Sequence, residues 1–209
     1  MNNNKTFCFI KNYFLIITTF ICLSSCTKNI SSSYIGNGWS RNSVNTVKFR
    51  KNALTTHQGY QFVAYYDDNA CLILGKRKLT SSKWITFKTQ YIGNTKDAHN
   101  SISLAVDSNG YLHVSWDHHN TNLRYAKSKE PLELELEEEV LMTGKQEDKV
   151  TYPEFYNLPN GDLLFFYRSG ESGRGNLVIN SYDVVSEKWS QLQDNLIDGE
   201  NKRSAYWQA

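Results

Sequence analysis

A repeat of 51 residues limits the fold of this chain more than any other feature. A glycine followed by an apolar, aromatic-containing run recurs at Gly59, Gly110 and Gly161, so that consecutive copies are 51 residues apart. A repeat of this period indicates copies of one supersecondary unit, each of which needs a neighbour to cover its apolar faces.

Each repeat carries the signals of antiparallel strands. Turns precede the second and third glycines, at Asp107–Gly110 and Leu158–Gly161, and an apolar run flanks each turn on both sides, which is the pattern of a β-hairpin. The first strands are predicted at Ser101–Val106 and Pro153–Asn157, third strands at Cys71–Leu74, Leu123–Ala126 and Leu177–Asn180, and outer strands at Trp84–Phe87, Leu132–Leu136 and Trp189–Leu192. Four antiparallel strands in about 40 to 50 residues are typical of a β-propeller blade, so an all-β propeller is predicted.

Residues 44–209 are predicted to form three blades and the start of a fourth. A fourth repeat glycine would fall near position 212, beyond Ala209. Known propellers close with at least four blades, and a blade without a neighbour leaves an apolar face open. The sequence therefore favours a fragment of a larger ring over a self-sufficient three-blade domain.

Residues 1–25 are predicted to be a secretory signal peptide. Lys5 and Lys11 precede an apolar stretch of about 11 residues, which is too short to span a bilayer. Leu23-Ser-Ser-Cys26 resembles the bacterial lipobox, in which the cysteine is acylated. The resemblance implies an exported lipoprotein that touches the membrane only through the lipid on Cys26, in the outer membrane by analogy with known sorting. An ordinary signal peptide with a chance cysteine is the alternative.

Residues 26–43 are predicted to be the lipidated cysteine and a flexible stalk, because the segment is polar and rich in Ser, Gly and Asn. Cys8 and Cys22 would leave with the signal peptide. Cys71 is then alone in an apolar run, where we expect it to pack as a small hydrophobic residue. No disulfide and no cysteine metal site is expected in the mature chain.

The charge balance excludes nucleic acid as a partner. The chain has 23 Lys and Arg against 21 Asp and Glu, and no acidic residue precedes Cys26. Removal of Lys5 and Lys11 with the signal peptide leaves 21 of each sign. Such a chain lacks the basic face that phosphate contacts need.

Polar and aromatic side chains gather at one end of the predicted hairpins. In an antiparallel hairpin the start of the first strand and the end of the second lie at the same edge, so these positions from all blades point to one mouth of the propeller. The residues there are His99, Asn100, Asp117, His118 and His119 in unit two, Tyr152 and Arg168 in unit three, and Tyr206 and Trp207 where the next unit begins. Loops on a rigid scaffold are where sites are usually built.

Each of these residues also has a purely structural interpretation. A histidine at a strand end is often a solvated or capping residue, and a propeller tyrosine often packs in the core. Arg168 could pair with Glu171 or Asp162, and His113, inside a strand, is assigned to packing. The convergence of the other residues on one mouth favours a functional site.

Five segments resemble one protein family. They are Asp97–Asn100, Asp107–His119, Thr151–Phe155, Tyr167–Asn176 and Ala205–Trp207. In order and spacing they resemble the BNR-repeat β-propellers that include ulvan lyases, over about residues 40–209. The resemblance implies a seven-bladed propeller, of which this chain would be the N-terminal half, and an acidic, uronate-containing polysaccharide as substrate.

The resemblance also implies a reaction and residue roles. Ulvan lyases cleave beside a uronic acid by β-elimination, which needs a base, a cation that neutralises the carboxylate and an acid for the leaving oxygen. By motif, His99 and Tyr152 are similar to the base and acid, in an order left open, and Arg168 to the neutraliser. The further substrate-binding residues are Asn100, His119, Tyr206 and Trp207. No cofactor is expected within this chain, and any metal site of the later blades would lie outside it.

Two other functions stay open. A non-catalytic surface propeller could bind polysaccharide through the aromatic residues at the mouth. Such a protein has no need of His99, Tyr152 and Arg168 together, so the lyase is favoured. A sialidase-like hydrolase ranks third, because the Ser-x-Asp-x-Gly-x-Thr-Trp box is absent from the sequence.

Overall fold

The structure, a computed structural model, describes residues 31–48 and 52–207. These residues form twelve β-strands and no helix, and therefore none that is long and apolar enough to cross a membrane. The predicted signal peptide and the predicted lipid on Cys26 lie outside the described residues and stay predictions.

The strands form three antiparallel sheets, which we call blades one, two and three. Blade one contains β1 (Leu54–His57), β2 (Tyr60–Tyr66), β3 (Cys71–Lys78) and β4 (Ile85–Ile92), in that order. Blade two contains β5 (Ser103–Val106), β6 (Leu112–Ser115) and β8 (Tyr125–Lys127). Blade three has the order β12 (Lys188–Ile197), β11 (Arg174–Asp183), β10 (Leu163–Glu171), β9 (Val150–Asn157) and β7 (His119–Thr121). Each blade corresponds to one repeat of the sequence, except that β7 of blade three comes from the second repeat.

The repeat glycines lie in the turns that precede the second strand of each blade. Gly59, Gly110 and Gly161 have φ angles of 80°, 93° and 94°. The N–H of Gly110 donates to the carbonyl of Asp107 at 3.1 Å, and the N–H of Gly161 donates to the carbonyl of Leu158 at 3.0 Å. Residues with a side chain are strained at positive φ, which explains why glycine marks each unit.

Apolar side chains fill the interfaces between consecutive blades. Along β2 the residues Phe62, Ala64 and Tyr66 are fully buried and alternate with partly exposed neighbours, as expected for a strand with one face on a core. One core cluster joins blades one and two around Trp116, and a second joins blades two and three around Phe155. Cys71 is buried at the start of β3, as predicted.

Hydrogen bonds between blades hold the first strands together. The N–H of Leu104 donates to the carbonyl of Asn52 at 2.8 Å, and the side-chain amide of Asn157 donates to the carbonyl of Val106 at 2.6 Å. The first bond joins β5 to the segment before β1, and the second joins the ends of β5 and β9. The N–H of Phe155 in β9 also donates to the hydroxyl of Ser103 at the start of β5, at 3.1 Å, so β5 and β9 lie side by side. The loops that carry the predicted mouth residues are therefore neighbours.

The outer segment of blade two differs from the prediction. Leu132–Leu136, predicted as a strand, forms only an isolated bridge between Ser128 and Leu136. Its three leucines do pack on the core of blades one and two. Pro131 precedes the segment and Leu132 has a φ of 60°, so the backbone turns here. Separate backbone bonds then join the chain to β8, such as the bond from the N–H of Glu137 to the carbonyl of Lys127 at 2.8 Å, and no regular strand forms. The alternation of leucine and glutamate therefore indicates the buried face and not a regular strand.

The compact unit begins earlier than predicted, at Tyr34, so residues 34–43 of the predicted stalk belong to it. The N–H of Trp39 donates to the carbonyl of Tyr66 at 2.8 Å, and the Asn42 amide donates to the carbonyl of Thr95 at 2.7 Å. The Trp39 ring packs on the first core cluster. This apolar contact explains why a polar segment is held against blade one.

Candidate active site at the propeller mouth

The short strand β7 brings the mouth residues of blades two and three together. It follows β6 of blade two in sequence but pairs with β9 of blade three, with His119 opposite Thr151. The registers of the β7–β9 and β9–β10 pairs both shift here. Irregularities of this kind re-aim side chains, and this one directs His119 towards the loop that holds His99.

Two histidines stack on each other and share one carboxylate. The ring centroids of His99 and His119 are 4.3 Å apart. Nδ1 of His99 lies 2.7 Å from Oδ1 of Asp97, and Nδ1 of His119 lies 2.6 Å from Oδ2 of Asp97. The imidazoles are 41% and 37% exposed, so both remain open to solvent at the mouth.

The Asp97 carboxylate is strongly stabilised as an anion. Burial acts to raise its pKa, but hydrogen bonds from the backbone N–H of His99 and from the two imidazoles outweigh burial and lower the pKa from 3.8 to about 2. An ionised carboxylate can only accept hydrogen bonds. Asp97 is therefore a permanent acceptor at neutral pH.

Arg168 lies against two tyrosine rings without an acidic partner. Its guanidinium carbon is 5.1 Å from the ring centroid of Tyr152 and 5.5 Å from that of Tyr206, and Nη1 donates to the Tyr206 hydroxyl at 3.2 Å. The residue is 1% exposed, its Nε has no hydrogen-bond partner, and no carboxylate of the described residues pairs with it. A buried charge without a counter-ion is costly, so this site can accept an anion.

The two acids proposed as structural partners of Arg168 are engaged elsewhere. Glu171 forms ion pairs with Lys149 and Arg174. Asp162 accepts the backbone N–H of Val184 at 3.0 Å. Neither acid therefore forms the ion pair that the structural interpretation of Arg168 suggested.

Tyr152 has a strained backbone between the histidines and the arginine. Its φ is 58° and Pro153 follows it, a combination that is disfavoured for a residue with a side chain. Strain of this kind is found at functional sites. The ring centroid is 6.1 Å from that of His99 and 6.0 Å from that of Tyr206. Burial raises the pKa of Tyr152 and outweighs the lowering effect of Arg168, so the hydroxyl is protonated at neutral pH.

A cleft of about 590 Å³ opens beside His119 and extends past Asn100 to Arg124 and Glu139. Arg124 forms ion pairs of 2.9 Å with both Asp117 and Glu139, and stacks on the Trp116 ring at 4.9 Å. Its charge is therefore neutralised by the protein, unlike that of Arg168. The cleft offers both hydrogen-bonding groups and the apolar side chains of Leu123 and Leu141.

Sequence comparison assigns the family. The sequence model of the BNR repeat-containing family matches residues 60–209. The chain belongs to this family. The resemblance to BNR-repeat propellers that include ulvan lyases is confirmed.

Curated relatives of this BNR repeat protein are ulvan lyases. It is 27% identical over 188 residues to the long isoform of the ulvan lyase of an Alteromonas species, covering 66% of this chain and 19% of the relative. It is 38% identical over 56 residues to the short isoform from Alteromonas sp. (strain LOR), covering 24% of this chain and 11% of the relative. The chain matches less than a fifth of the length of either relative.

Solved structures confirm the propeller fold. The crystal structure of the polysaccharide lyase Uly1 matches with a TM-score of 0.63 at 20% identity, over 79% of this chain and 45% of that chain. A PL25 ulvan lyase bound to -[GlcA(1-4)Rha3S]- matches with a TM-score of 0.58 at 17% identity, over 69% of this chain and 38% of that chain. At these identities the likeness shows the fold alone.

The structure brings five of the seven predicted catalytic and substrate-binding residues into one cluster. They are His99, His119, Tyr152, Arg168 and Tyr206. Asn100 is buried, donates its amide to the carbonyl of Asn94 at 2.9 Å and lines the cleft beside the cluster. Trp207 lies further along blade three, where its indole N–H donates to Glu154 at 3.1 Å. No contact in the described residues joins Trp207 to the two histidines.

Two other histidines of this BNR repeat protein are structural. His118, at the predicted mouth, turns inward, lies 3.0 Å from the Ser115 hydroxyl, and burial lowers its pKa to about 3. His113 is fully buried between Asp107 and Tyr125, which confirms its assignment to packing.

No role is assigned to Asp97 from the sequence, although a signal is present. An aspartate two residues before His99 has the spacing of an Asx turn, and its carboxylate does accept the His99 backbone N–H at 2.9 Å. The link to His119 depends on β7, which has no pattern of its own in three residues.

Asp97, His99 and His119 are also the one group among residues 31–48 and 52–207 whose three ligand atoms lie within 4.8 Å of one another, as a metal site requires. Both Nδ1 atoms face an Asp97 oxygen at hydrogen-bond distance. A metal ion bound to these Nδ1 atoms would replace both of their hydrogen bonds to Asp97.

Proposed function

We propose that this mouth is the proton-transfer centre of a polysaccharide lyase that cleaves an acidic, uronate-containing polysaccharide of the ulvan kind by β-elimination. The observation that carries the proposal is the buried, unpaired guanidinium of Arg168 beside two imidazoles and a protonated phenol. A uronate carboxylate would supply the missing counter-ion. A related PL25 ulvan lyase is bound to -[GlcA(1-4)Rha3S]-, whose glucuronate has such a carboxylate.

The elimination requires three events at the uronate. A base removes the proton from the carbon next to the carboxylate, the electron pair forms a carbon–carbon double bond, and the bond to the sugar oxygen on the next carbon breaks. An acid then protonates that oxygen. Arg168 stabilises the negative charge that builds up on the carboxylate as the proton leaves, and a preorganised donor of this kind is worth more in a buried site than in water.

The geometry favours His99 as the base and Tyr152 as the acid. A neutral imidazole whose Nδ1 donates to an ionised carboxylate has its lone pair on Nε2, which can take a proton. Tyr152 is protonated because burial raises its pKa, so it is a poor base and a suitable proton donor. These observations support His99 as the base and Tyr152 as the acid, an order that the motifs leave open.

The substrate is held by the remaining residues of the mouth. Tyr206 is 61% exposed and offers a ring face on which a sugar can stack, while its hydroxyl keeps the Arg168 guanidinium in place. His119 faces the cleft on the other side of His99. Asn100 and Trp207 stay predicted contacts for more distant sugar units.

The test measures the unsaturated product. The protein, in the full length that its gene encodes, is incubated with ulvan, and elimination is followed as a rise in ultraviolet absorbance from the conjugated double bond, which hydrolysis does not produce. Arg168→Ala should lower the rate about 100-fold or more. His99→Ala and Tyr152→Phe should each remove most activity, and the double variant should lose little more, because residues that act as one unit are not additive.

Arg77→Ala is the matched control. Arg77 also stacks on an aromatic ring, that of Trp84 at 4.8 Å, but it lies in blade one away from the mouth. Its loss should leave the rate unchanged. A protein that binds ulvan normally and yields no unsaturated product would overturn the lyase in favour of a non-catalytic binding propeller.

A further inference from the structure

We propose that Asp97 is a positioning residue that holds both His99 and His119 as Nδ1–H tautomers, so that the lone pair of each neutral imidazole lies on Nε2. Its catalytic consequence rests on the proposed function. The tautomers themselves are a property of the folded chain and can be measured without any substrate.

One carboxylate lies at hydrogen-bond distance from two imidazole rings. Oδ1 of Asp97 faces Nδ1 of His99 at 2.7 Å, and Oδ2 faces Nδ1 of His119 at 2.6 Å. Because an ionised carboxylate has no proton to donate, each Nδ1 has to carry the hydrogen of its bond. A carboxylate that accepts a hydrogen bond from one ring nitrogen fixes both the tautomer and the orientation of the imidazole.

The carboxylate is itself held in place by its loop. The backbone N–H of His99 donates to Oδ1 of Asp97 at 2.9 Å. The backbone N–H of Asn94, at the start of the same loop, donates to the Asp117 carboxylate at 2.7 Å, and Asp117 is paired with Arg124. Asp97 is therefore held in place by contacts outside the two imidazole rings. It contacts both rings in addition to accepting the backbone N–H of its own turn.

Replacement of the Asp97 carboxylate by an amide should change the tautomer of one histidine and not of the other. In Asp97→Asn, the oxygen should stay towards His99, because the backbone N–H of His99 also needs an acceptor there. The NH₂ group then faces Nδ1 of His119, which has to accept. His119 should change to the Nε2–H tautomer while His99 keeps Nδ1–H.

Asp183→Asn is a matched control for the loss of a carboxylate in a turn. Asp183 accepts the backbone N–H of Val185 at 3.0 Å, the same spacing of two residues as in the Asp97 turn. It is the last residue of β11, where the turn to β12 begins, and its hydrogen bonds among the described residues are to Val185 and Ser186, with none to a histidine. A change that appears in Asp97→Asn and not in Asp183→Asn therefore reports on the imidazoles.

The first readout is nuclear magnetic resonance of ¹⁵N-labelled histidine at a pH where the imidazoles are neutral. Long-range proton–nitrogen correlations distinguish the two tautomers, and His99→Gln and His119→Gln assign the signals. We expect Nδ1–H at both rings in the wild type and a change at His119 alone in Asp97→Asn. An Nε2–H form at either ring of the wild type overturns the inference, and this decides it even if Asp97→Asn does not fold.

The second readout is steady-state kinetics. Asp97→Asn should lower kcat about 100-fold or more with little change in KM, because the carboxylate no longer balances the imidazolium that forms when His99 takes the proton. Asp183→Asn should keep the wild-type kcat. Full activity of Asp97→Asn overturns the positioning role. A wild type that forms no unsaturated product overturns the proposed function alone, since the tautomers are still measured.

Discussion

At the scale of single residues, two arginines of the same molecule show what distinguishes a site from a structural ion pair. Arg124 and Arg168 both stack on aromatic rings. Arg124 is paired with two carboxylates, whereas Arg168 is more deeply buried and has none among the described residues. Since the cost of a buried charge has to be offset by a partner, the partner of Arg168 is expected to come from outside the chain.

The low pKa of Asp97 makes stability depend on pH in one direction. Its folded pKa of about 2 lies below the ordinary value of 3.8, so the ionised form stabilises the fold above pH 3.8 and this contribution is lost as the pH falls towards 2. The advantage of the wild type over Asp97→Asn in free energy of unfolding should therefore shrink as the pH falls from about 5 to about 2.

Urea unfolding at several pH values measures this dependence. A double variant with His99→Ala and His119→Ala is the control, because it keeps the carboxylate and removes two of its hydrogen-bond donors. Its stability should depend less on pH than that of the wild type in this range. A constant difference between wild type and Asp97→Asn at all pH values would contradict the expectation.

Sequence reasoning places the site residues well where strand topology decides their position. His99, Tyr152 and Arg168 occupy equivalent hairpin ends, and they do meet in the structure. Sequence reasoning cannot predict where a side chain points when its direction depends on the backbone conformation of a loop. His118 and His119 are adjacent in sequence, yet one turns into the core and the other to the mouth, next to positive φ angles at Asp117 and Asn120.

At the scale of elements, the repeat glycines have unequal surroundings. An added Cβ at Gly161 would lie 2.3 Å from Oγ and 2.6 Å from Cβ of Ser108, in the turn of the preceding blade, whereas one at Gly59 would meet nothing within 4 Å. Gly59→Ala should cost only the backbone strain of positive φ, about 1 to 2 kcal/mol. Gly161→Ala should cost about 1 kcal/mol or more in addition, because Ser108 has to move.

Denaturant unfolding of the two variants gives the comparison directly. The two glycines occupy the same place in their repeats and have similar φ angles, so the backbone term is matched. Equal destabilisation would show that the turn of blade two yields without cost and that the blades do not press on each other at this end.

The periodicity of apolar residues predicts a strand correctly only where the segment both buries one face and forms a ladder of backbone hydrogen bonds. Strands β2, β10 and β11 combine an apolar face with a complete ladder, and all three were visible in the sequence. In Leu132–Leu136 the apolar face is present, but the segment forms only one isolated bridge, between Leu136 and Ser128. Strand β7 has no apolar face, and two residue pairs join it to β9.

At the scale of the whole molecule, the core lies between blades and the outer strands are left with open edges. Strand β12 is ten residues long and, among the strands of residues 31–48 and 52–207, pairs only with β11. Three of its apolar residues, Leu192, Leu196 and Ile197, are 40% to 54% exposed. A long edge strand with exposed apolar side chains is a template for pairing with another chain.

We therefore expect this 209-residue chain to self-associate through β12 as its concentration rises. Leu196→Lys should weaken the association, because a lysine on an edge strand opposes pairing with a second copy. Val185→Lys is the control, since Val185 is 91% exposed but lies in the turn before β12 and has no open ladder beside it. Sedimentation velocity over a concentration series measures the effect. If Leu196→Lys and Val185→Lys reduce association equally, exposed apolar area drives it and the strand edge does not.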